Sequence, residues 1–131
     1  MINQDKRRRD EPDRMTEQII GAAFTVSNKL GSGFLEKVYE NALPHELRKA
    51  GIKVEQQYPI WVYYDDIIVG DYVADLLVES CVLVELKAIK ALKNVEMAQY
   101  LNYLKATGGR VCLLPNFGRP IIKVKRIAND F

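Results

Sequence analysis

Two carboxylates and one ammonium group stand in segments whose other residues are mostly apolar. Asp75 lies in the segment 72–78, and Glu85 and Lys87 lie in the segment 81–87. Because side chains alternate along a strand, Glu85 and Lys87 share one face, and Asp75 reaches that face if the two segments pair as a hairpin. Such charges are costly in an apolar sheet unless a cation or a substrate group compensates them, which favours a magnesium ion bound together with a phosphate. A structural ion-pair cluster is the alternative interpretation.

The composition of the chain limits the function classes. Its 131 residues, 48% hydrophobic and 27% charged, are enough for one domain with a buried core. The net charge of +2 is too small to indicate nucleic acid by itself, so electrostatic evidence must come from local clusters. No apolar run is long enough to span a membrane, and we expect a cytoplasmic protein. The only histidine, His45, argues against a zinc site built on histidines and against a Ser-His-Asp triad.

The elements that must position these side chains alternate between two patterns. Helical patterns cover 16–30, 35–50 and 95–107, and strand-like patterns cover 54–57, 60–64, 67–69, 71–78, 81–87, 111–114 and 121–125. Residues 1–14 are strongly charged and predict a flexible N-terminal tail, which leaves one folded domain over 15–131. The order of elements predicts an α/β fold with helices packed on a mixed sheet.

Two predicted helices carry further polar groups. Gln99 and Tyr103 are four residues apart and are therefore neighbours on one helix face, where they could bind phosphate oxygens or position a water. A surface glutamine beside a core tyrosine is the more frequent explanation of such a pair. Glu36 falls in the first turn of the second helix, where the helix dipole alone would favour a carboxylate. Tyr39 follows one turn later, where a core aromatic is more frequent than a ligand contact.

Taken together, these residues resemble the GxxExxY proteins, a group within the PD-(D/E)XK nuclease superfamily, over about residues 15–126. Three motifs carry the resemblance: Gly33-x-x-Glu36-x-x-Tyr39, Asp75 with Glu85-x-Lys87, and Gln99-x-x-x-Tyr103. The glycine motif gives the group its name. The acidic motif with its lysine is similar to the metal-binding signature of the superfamily, and the glutamine motif is similar to the helix motif of its exonuclease-like branches. Residues 95–98 depart from the pattern, since Val-Glu-Met-Ala stands where relatives tend to carry a His-Glu pair.

The resemblance implies a three-layer α/β/α, restriction-endonuclease-like core with a mixed central sheet. It implies hydrolysis of phosphodiester bonds in nucleic acid with Mg²⁺ or Mn²⁺ as the cofactor. The implied catalytic residues are Lys87, Glu85 and Asp75, the implied metal ligands are Asp75, Glu85 and Glu36, and the implied substrate contacts are Gln99, Tyr103 and Tyr39. In this scheme the lysine orients or activates the attacking water, and the helix glutamate completes or supports the metal shell.

Other functions on the same fold are open. The chain could be a nucleic-acid-binding or protein-interaction module without cleavage, or a structural partner that uses its seven tyrosines as an interface. The motifs do not distinguish DNA from RNA, single strands from double strands, or cleavage at strand ends from cleavage within a strand. Since no additional domain is predicted to grip a duplex, we expect a homodimer or a larger protein partner. Only the nuclease interpretation requires a metal ion that stabilises the fold on binding.

Overall fold

The computed structural model describes residues 2–90 and 93–129, with side chains from residue 13 onward. Its elements are α1 (Ile2–Leu30), α2 (Glu36–Lys49), β1 (Val54–Tyr64), β2 (Ile67–Val78), β3 (Val82–Val84), α3 (Asn94–Thr107), β4 (Val111–Asn116) and β5 (Lys123–Ala128). The predicted helices and strands are present, although the strand segments predicted over 54–64 merge into β1 and those over 67–78 merge into β2. The strand predicted over 81–87 is shorter than expected, since β3 covers only Val82–Val84 and Lys87 keeps a single bridge to Asn116. Helix α1 begins well before residue 16, and a tail separate from the domain over 1–14 stays a prediction.

The five strands form one mixed sheet in the order β1-β2-β3-β4-β5. Strands β3 and β4 are parallel, and the other neighbouring pairs are antiparallel. Helices α1 and α2 cover one face of the sheet, and α3 covers the other face. The predicted three-layer α/β/α arrangement with a mixed central sheet is therefore confirmed.

Each face of the sheet has its own apolar core. The core under α1 and α2 includes Ile19, Ala23, Tyr39, Leu43, Leu47, Leu76, Val84, Leu86 and Phe117. The core under α3 includes Ile60, Ala74, Leu83, Tyr100, Leu104, Cys112 and Leu114. Strand β4 is buried on both faces, as expected for a strand in the middle of a sheet with helices on either side. Among the described residues, no helix combines the length and the apolar character needed to cross a membrane.

Helix α2 differs from its sequence pattern at its beginning. The apolar pattern over 35–50 predicts that Leu35 and Val38 are buried, but these side chains are 81% and 36% exposed, so this prediction is wrong. The physical reason is that Leu35 is the extended residue before the helix, at φ −69° and ψ 155°, and therefore does not share the helical period. The buried face is instead set by Tyr39, Leu43 and Leu47, and the helix continues through Pro44 without a break.

The pairs Asp65-Asp66 and Glu79-Ser80 predict turns, and the structure has turns at both places. Asp65 and Asp66 both have positive φ, at 48° and 65°, and form the two-residue connection typical of a tight hairpin between β1 and β2. Glu79 and Ser80, at 50° and 55°, lie in the three-residue connection 79–81 between β2 and β3. Because short turns fix the register, they also fix which residues of β2 and β3 lie opposite each other.

Candidate active site

The predicted carboxylates meet where strands β2 and β3 separate. The antiparallel ladder between these strands ends at the pair Leu76 and Val84. Beyond it, the amide of Asp75 donates a hydrogen bond to Oε1 of Glu85 at 3.2 Å, and the amide of Leu86 donates to Oδ2 of Asp75 at 2.8 Å. Side-chain oxygens thus replace the backbone acceptors that the ladder no longer supplies. We call this point, formed by Asp75 and Glu85, the acidic fork.

After β3 ends at Val84, the chain separates from β2 at the fork but stays hydrogen-bonded to β4. Glu85 and Lys87 each donate a backbone N–H to a carbonyl of β4, at 2.9 and 3.0 Å. The residues that alternate with them along the chain, Val84 and Leu86, are buried in the core under α1 and α2. Glu85 and Lys87 therefore share the opposite face, which Leu83 also occupies under α3. This is the parity that the sequence predicts.

Burial makes the fork unfavourable for two full negative charges. Glu85 is only 5% exposed, and this burial, together with the charge of Asp75, raises the pKa of Glu85 to about 8. Burial also raises the pKa of Asp75, against the opposing effect of the amide of Leu86. At neutral pH the fork therefore retains a proton unless a cation is present to replace it.

Lys87 lies beside the fork as a protonated amine. Its Nζ is 5.1 Å from the centre of the Tyr100 ring, within the range of a cation–π contact. Burial alone would lower the pKa of Lys87, but the hydrogen bond with the Tyr100 hydroxyl and the nearby carboxylates of Glu36 and Glu85 raise it above its ordinary value. The side chain consequently carries a positive charge at neutral pH.

Glu36 approaches the fork from the start of α2. Its Oε1 accepts a hydrogen bond from the amide of Ala88 at 3.4 Å, and its charge contributes to the raised pKa of Asp75. Within the part of the chain that the structure describes, no three Asp, Glu, His or Cys side chains are arranged to hold a metal ion. Glu36 therefore lies next to the two carboxylates of the fork without completing a three-ligand cage. Its predicted role as a ligand stays a prediction.

The predicted helix pair is joined to the fork through a residue that the motifs did not include. Nε2 of Gln99 donates to the hydroxyl of Tyr103 at 3.0 Å. The ring of Tyr103 stacks on Tyr72, with 3.7 Å between the centroids. The Tyr72 hydroxyl in turn lies within hydrogen-bonding reach of Glu85, and burial, followed by the charge of Glu85, raises the pKa of Tyr72. Gln99 and Tyr103 thus act on the site through Tyr72, and their contact with a substrate stays a prediction.

Tyr39 has a different position from the other predicted site residues. Its side chain is fully buried, and its ring stacks on Phe117 at 4.2 Å. Its hydroxyl donates to the carbonyl of Gly31 at 2.7 Å and accepts from the amide of Phe34 at 3.2 Å. Tyr39 therefore holds the loop before α2, and so the position of Glu36. A direct contact between Tyr39 and a substrate stays a prediction.

Sequence reasoning missed a fourth acid near the fork, in addition to Asp75, Glu85 and Glu36. Glu40 is 5% exposed, and its charge contributes to the raised pKa of Asp75. It accepts hydrogen bonds from three side chains, those of Lys37, Gln56 and Gln57. Burial opposes ionisation of Glu40, but these hydrogen bonds hold its pKa below the ordinary value. Its position four residues after Glu36, on the same helix face, is a signal that could have found it.

Tyr72 and Tyr100 were missed for another reason. Both are tyrosines in segments with ordinary strand and helix patterns, and nothing in their spacing distinguishes them from core aromatics. Only the pairing of β2 with β3 and the packing of α3 bring their hydroxyl groups to Glu85 and Lys87.

Comparison with known proteins agrees with this geometry. The model of the PD-(D/E)XK nuclease superfamily matches residues 13–127, well over half of the chain. None of the curated proteins matches the chain significantly. The assignment to the GxxExxY group within the superfamily stays a prediction.

Two solved structures resemble the fold. An alkaline exonuclease (LHK-Exo) from Laribacter hongkongensis has a TM-score of 0.54 and 17% identity over 72% of this chain. The protein SSO0001 has a TM-score of 0.56 and 16% identity over 95% of this chain. The chain spans 56% and 62% of the lengths of these two neighbours. At such identities the likeness shows the fold, which is the restriction-endonuclease-like fold that the sequence predicts.

Proposed function

The chain belongs to the PD-(D/E)XK nuclease superfamily, and on this premise we propose that it is a metal-dependent nuclease that hydrolyses phosphodiester bonds in nucleic acid. Superfamily members generally use divalent metal ions. The observation that carries the proposal is the acidic fork, where the buried carboxylate of Glu85 and the half-buried carboxylate of Asp75 converge beside a protonated lysine. A scaffold built only for stability would gain nothing from this concentration of buried charge.

The donor set of the fork fits a hard divalent cation. Carboxylate oxygens are preferred ligands of Mg²⁺ and Mn²⁺, and Mg²⁺ is commonly held by only one or two carboxylates together with waters and substrate phosphates. Asp75 and Glu85 would hold the ion, with Glu36 supporting it from α2. When bound, such an ion supplies a water of lowered pKa and neutralises charge on the phosphate.

The chain's own residues then have separate tasks. Lys87 would act as a cation that orients the attacking water and stabilises the phosphate charge. Tyr100 holds the ammonium group in place. Tyr72 supports the carboxylate of Glu85, and Gln99 and Tyr103 keep Tyr72 in position. A cytoplasmic location and a homodimer or larger partner stay predictions.

A paired assay of binding and cleavage tests the nuclease. Lys87→Ala should reduce Mg²⁺- or Mn²⁺-dependent cleavage by orders of magnitude, while affinity for nucleic acid falls only modestly because one phosphate contact among several is lost. Lys105→Ala, at an exposed position on α3, is the matched control and should leave cleavage unchanged. Substrates are single-stranded and duplex DNA and RNA. If the wild-type protein binds these substrates but cleaves none of them with either metal, the nuclease proposal is wrong and a binding module is the better interpretation.

Metal-induced stabilisation tests the ligands independently of activity. We expect Mn²⁺ to raise the melting temperature of the wild type and of Glu55→Gln, and to have little effect on Asp75→Asn or Glu85→Gln. Without metal, each fork variant should be as stable as the wild type or slightly more stable, because one of two repelling carboxylates is gone. An equal metal shift in wild type and fork variants would show that the ion binds elsewhere.

A further inference from the structure

A second site lies on the same face of the sheet as the fork, with cationic side chains around a lining that is mostly apolar. It is a pocket of about 300 Å³ between β4, β5 and the segment after Lys87. Four cationic side chains line it, those of Lys90, Arg119, Lys123 and Lys125, and no acidic side chain does. We call it the basic pocket.

The strand register relates the basic pocket to the fork. Lys87 lies opposite Asn116 on β4, and Asn116 lies opposite Lys123 on β5, so the three residues form one row across the sheet. Residues directly opposite each other project from the same face. Two strand spacings separate the ends of this row, which is about 10 Å. Lys125 lies opposite Leu114, which packs under α3, and this assigns the pocket lysines to the α3 face.

Hydrogen bonds hold the part of the chain between the acidic fork and the basic pocket in place. Oδ1 of Asn116 accepts hydrogen bonds from the amides of Ile89 and Gly118, at 3.1 and 3.0 Å. A Cβ on Gly118 would collide with the backbone of Ile89, so only glycine permits this approach. Nε of Arg119 donates to the carbonyl of Lys90 at 3.0 Å, which fixes the guanidinium while using one of its five donors. The guanidinium of Arg119 is therefore positioned before any ligand binds.

The positive charge of the basic pocket is not neutralised by the protein. Among the described residues, none of its four cations forms a salt bridge, whereas Lys29, Lys37, Lys49, Lys53 and Arg126 all do. Four unpaired cations around one cavity fit a phosphate, since Arg forms bidentate bonds to its oxygens and Lys supplies point charges.

We propose that the basic pocket binds a phosphate of the nucleic-acid strand whose scissile bond lies at the acidic fork. The proposal rests on the proposed function, because it takes the fork as the reacting site. The separation of about two strand spacings places the bound phosphate within a few nucleotides of the scissile bond. The pocket would thus set the direction in which the strand crosses the sheet.

Removal of two pocket charges tests the proposal by equilibrium binding. The double variant Lys123→Gln with Lys125→Gln is compared with the double variant Lys49→Gln with Lys53→Gln, which removes the same charge outside the pocket. All four lysines are exposed, so folding should be unaffected. Fluorescence anisotropy with labelled DNA and RNA in chelator-containing buffer is measured over a series of KCl concentrations. The pocket variant should lose roughly 1.4 to 1.8 units in the slope of log K against log salt, and the control should keep the wild-type slope.

Oligonucleotides with hydroxyl or phosphate ends distinguish the source of the phosphate. The same loss for both end types assigns an internal backbone phosphate, and a loss confined to phosphorylated ends assigns a terminal phosphate. A pocket variant with wild-type affinity and slope overturns the proposal even if the wild type cleaves. If the wild type binds through the basic pocket but does not cleave, the proposed nuclease activity is wrong and the proposed phosphate site stands. A wild type that binds none of these nucleic acids overturns both.

Discussion

The two faces of the sheet each contain a stacked aromatic pair, and the pairs differ in what their hydroxyl groups contact. Under α1 and α2, Tyr39 stacks on Phe117 with 4.2 Å between centroids, and both rings are buried. Under α3, Tyr72 stacks on Tyr103 at 3.7 Å, and both rings are partly exposed. The ring geometry is nearly the same, at 11° and 10° between planes, so it cannot distinguish a structural pair from one that serves a site.

The contacts of the tyrosine hydroxyl groups distinguish the structural ring pair from the pair that serves the site. Tyr39 bonds to the backbone of the loop before α2, which ties this loop to the buried ring. On the other face, Tyr103 accepts from Gln99, and Tyr72 reaches the carboxylate of Glu85. A tyrosine hydroxyl that contacts a titratable carboxylate, as that of Tyr72 does, can tune a reacting site, and one that bonds only to the backbone holds a shape.

The largest difference between the two pairs should be in stability. Phe117→Ala removes a fully buried ring from the core and should lower the free energy of unfolding by about 3–5 kcal/mol. Tyr103→Ala should cost roughly 1–2 kcal/mol, since a partly exposed ring loses less buried area. Urea denaturation of both variants beside the wild type measures the difference. Equal losses would mean that the ring pair under α3 is also a core element.

The acidic fork should make the metal-free protein less stable as the pH rises. The pKa of Glu85 is raised from 4.5 to about 8 on folding, so the folded state holds a proton that the unfolded state loses between these values. Stability contributed by this group is therefore present below pH 4.5 and is lost as the pH rises toward 8, at a slope of at most about 1.4 kcal/mol per pH unit.

Denaturation curves between about pH 5 and pH 8, in the presence of a chelator, measure this loss. Glu85→Gln should flatten the profile because the amide does not titrate, and Glu55→Gln should retain the slope of the wild type. A profile for Glu85→Gln as steep as that of the wild type would assign the pH dependence to other groups.

The smallest effects should come from removal of single hydroxyl groups. Tyr72→Phe deletes a contact that lowers the pKa of Glu85, so the midpoint of the pH profile should move upward by less than about one unit. Tyr39→Phe deletes two backbone hydrogen bonds and should cost about 1 kcal/mol while the midpoint stays in place. Denaturation curves of Tyr72→Phe and Tyr39→Phe over a series of pH values measure both the free energy of unfolding and the midpoint of its pH profile. A midpoint that moves in Tyr39→Phe would contradict the separation of the two faces.

Much of the fold could be predicted because its signals are local. The turn at Asp65 and Asp66, the period of α3 and the run of β4 depend on residues close in sequence, and each element appears where its pattern indicates. The burial expected for Leu35 was wrong because the helix begins one residue later than its apolar pattern suggests, and Val38 lies outside the buried face that Tyr39, Leu43 and Leu47 set. The place where a helix starts depends on the preceding loop, which Tyr39 holds from inside the core.

For the site, the sequence by itself determined the acids and the lysine, because the two-residue period of a strand places Glu85 and Lys87 on one face whatever surrounds them. Only the tertiary structure decided that Asp75 meets Glu85 at the point where the ladder between β2 and β3 ends, since that depends on the register of two strands. It likewise decided the positions of Tyr72, Tyr100 and Glu40. Burial and cross-strand distance set the charge state of a group, and neither is encoded in the spacing of a single segment.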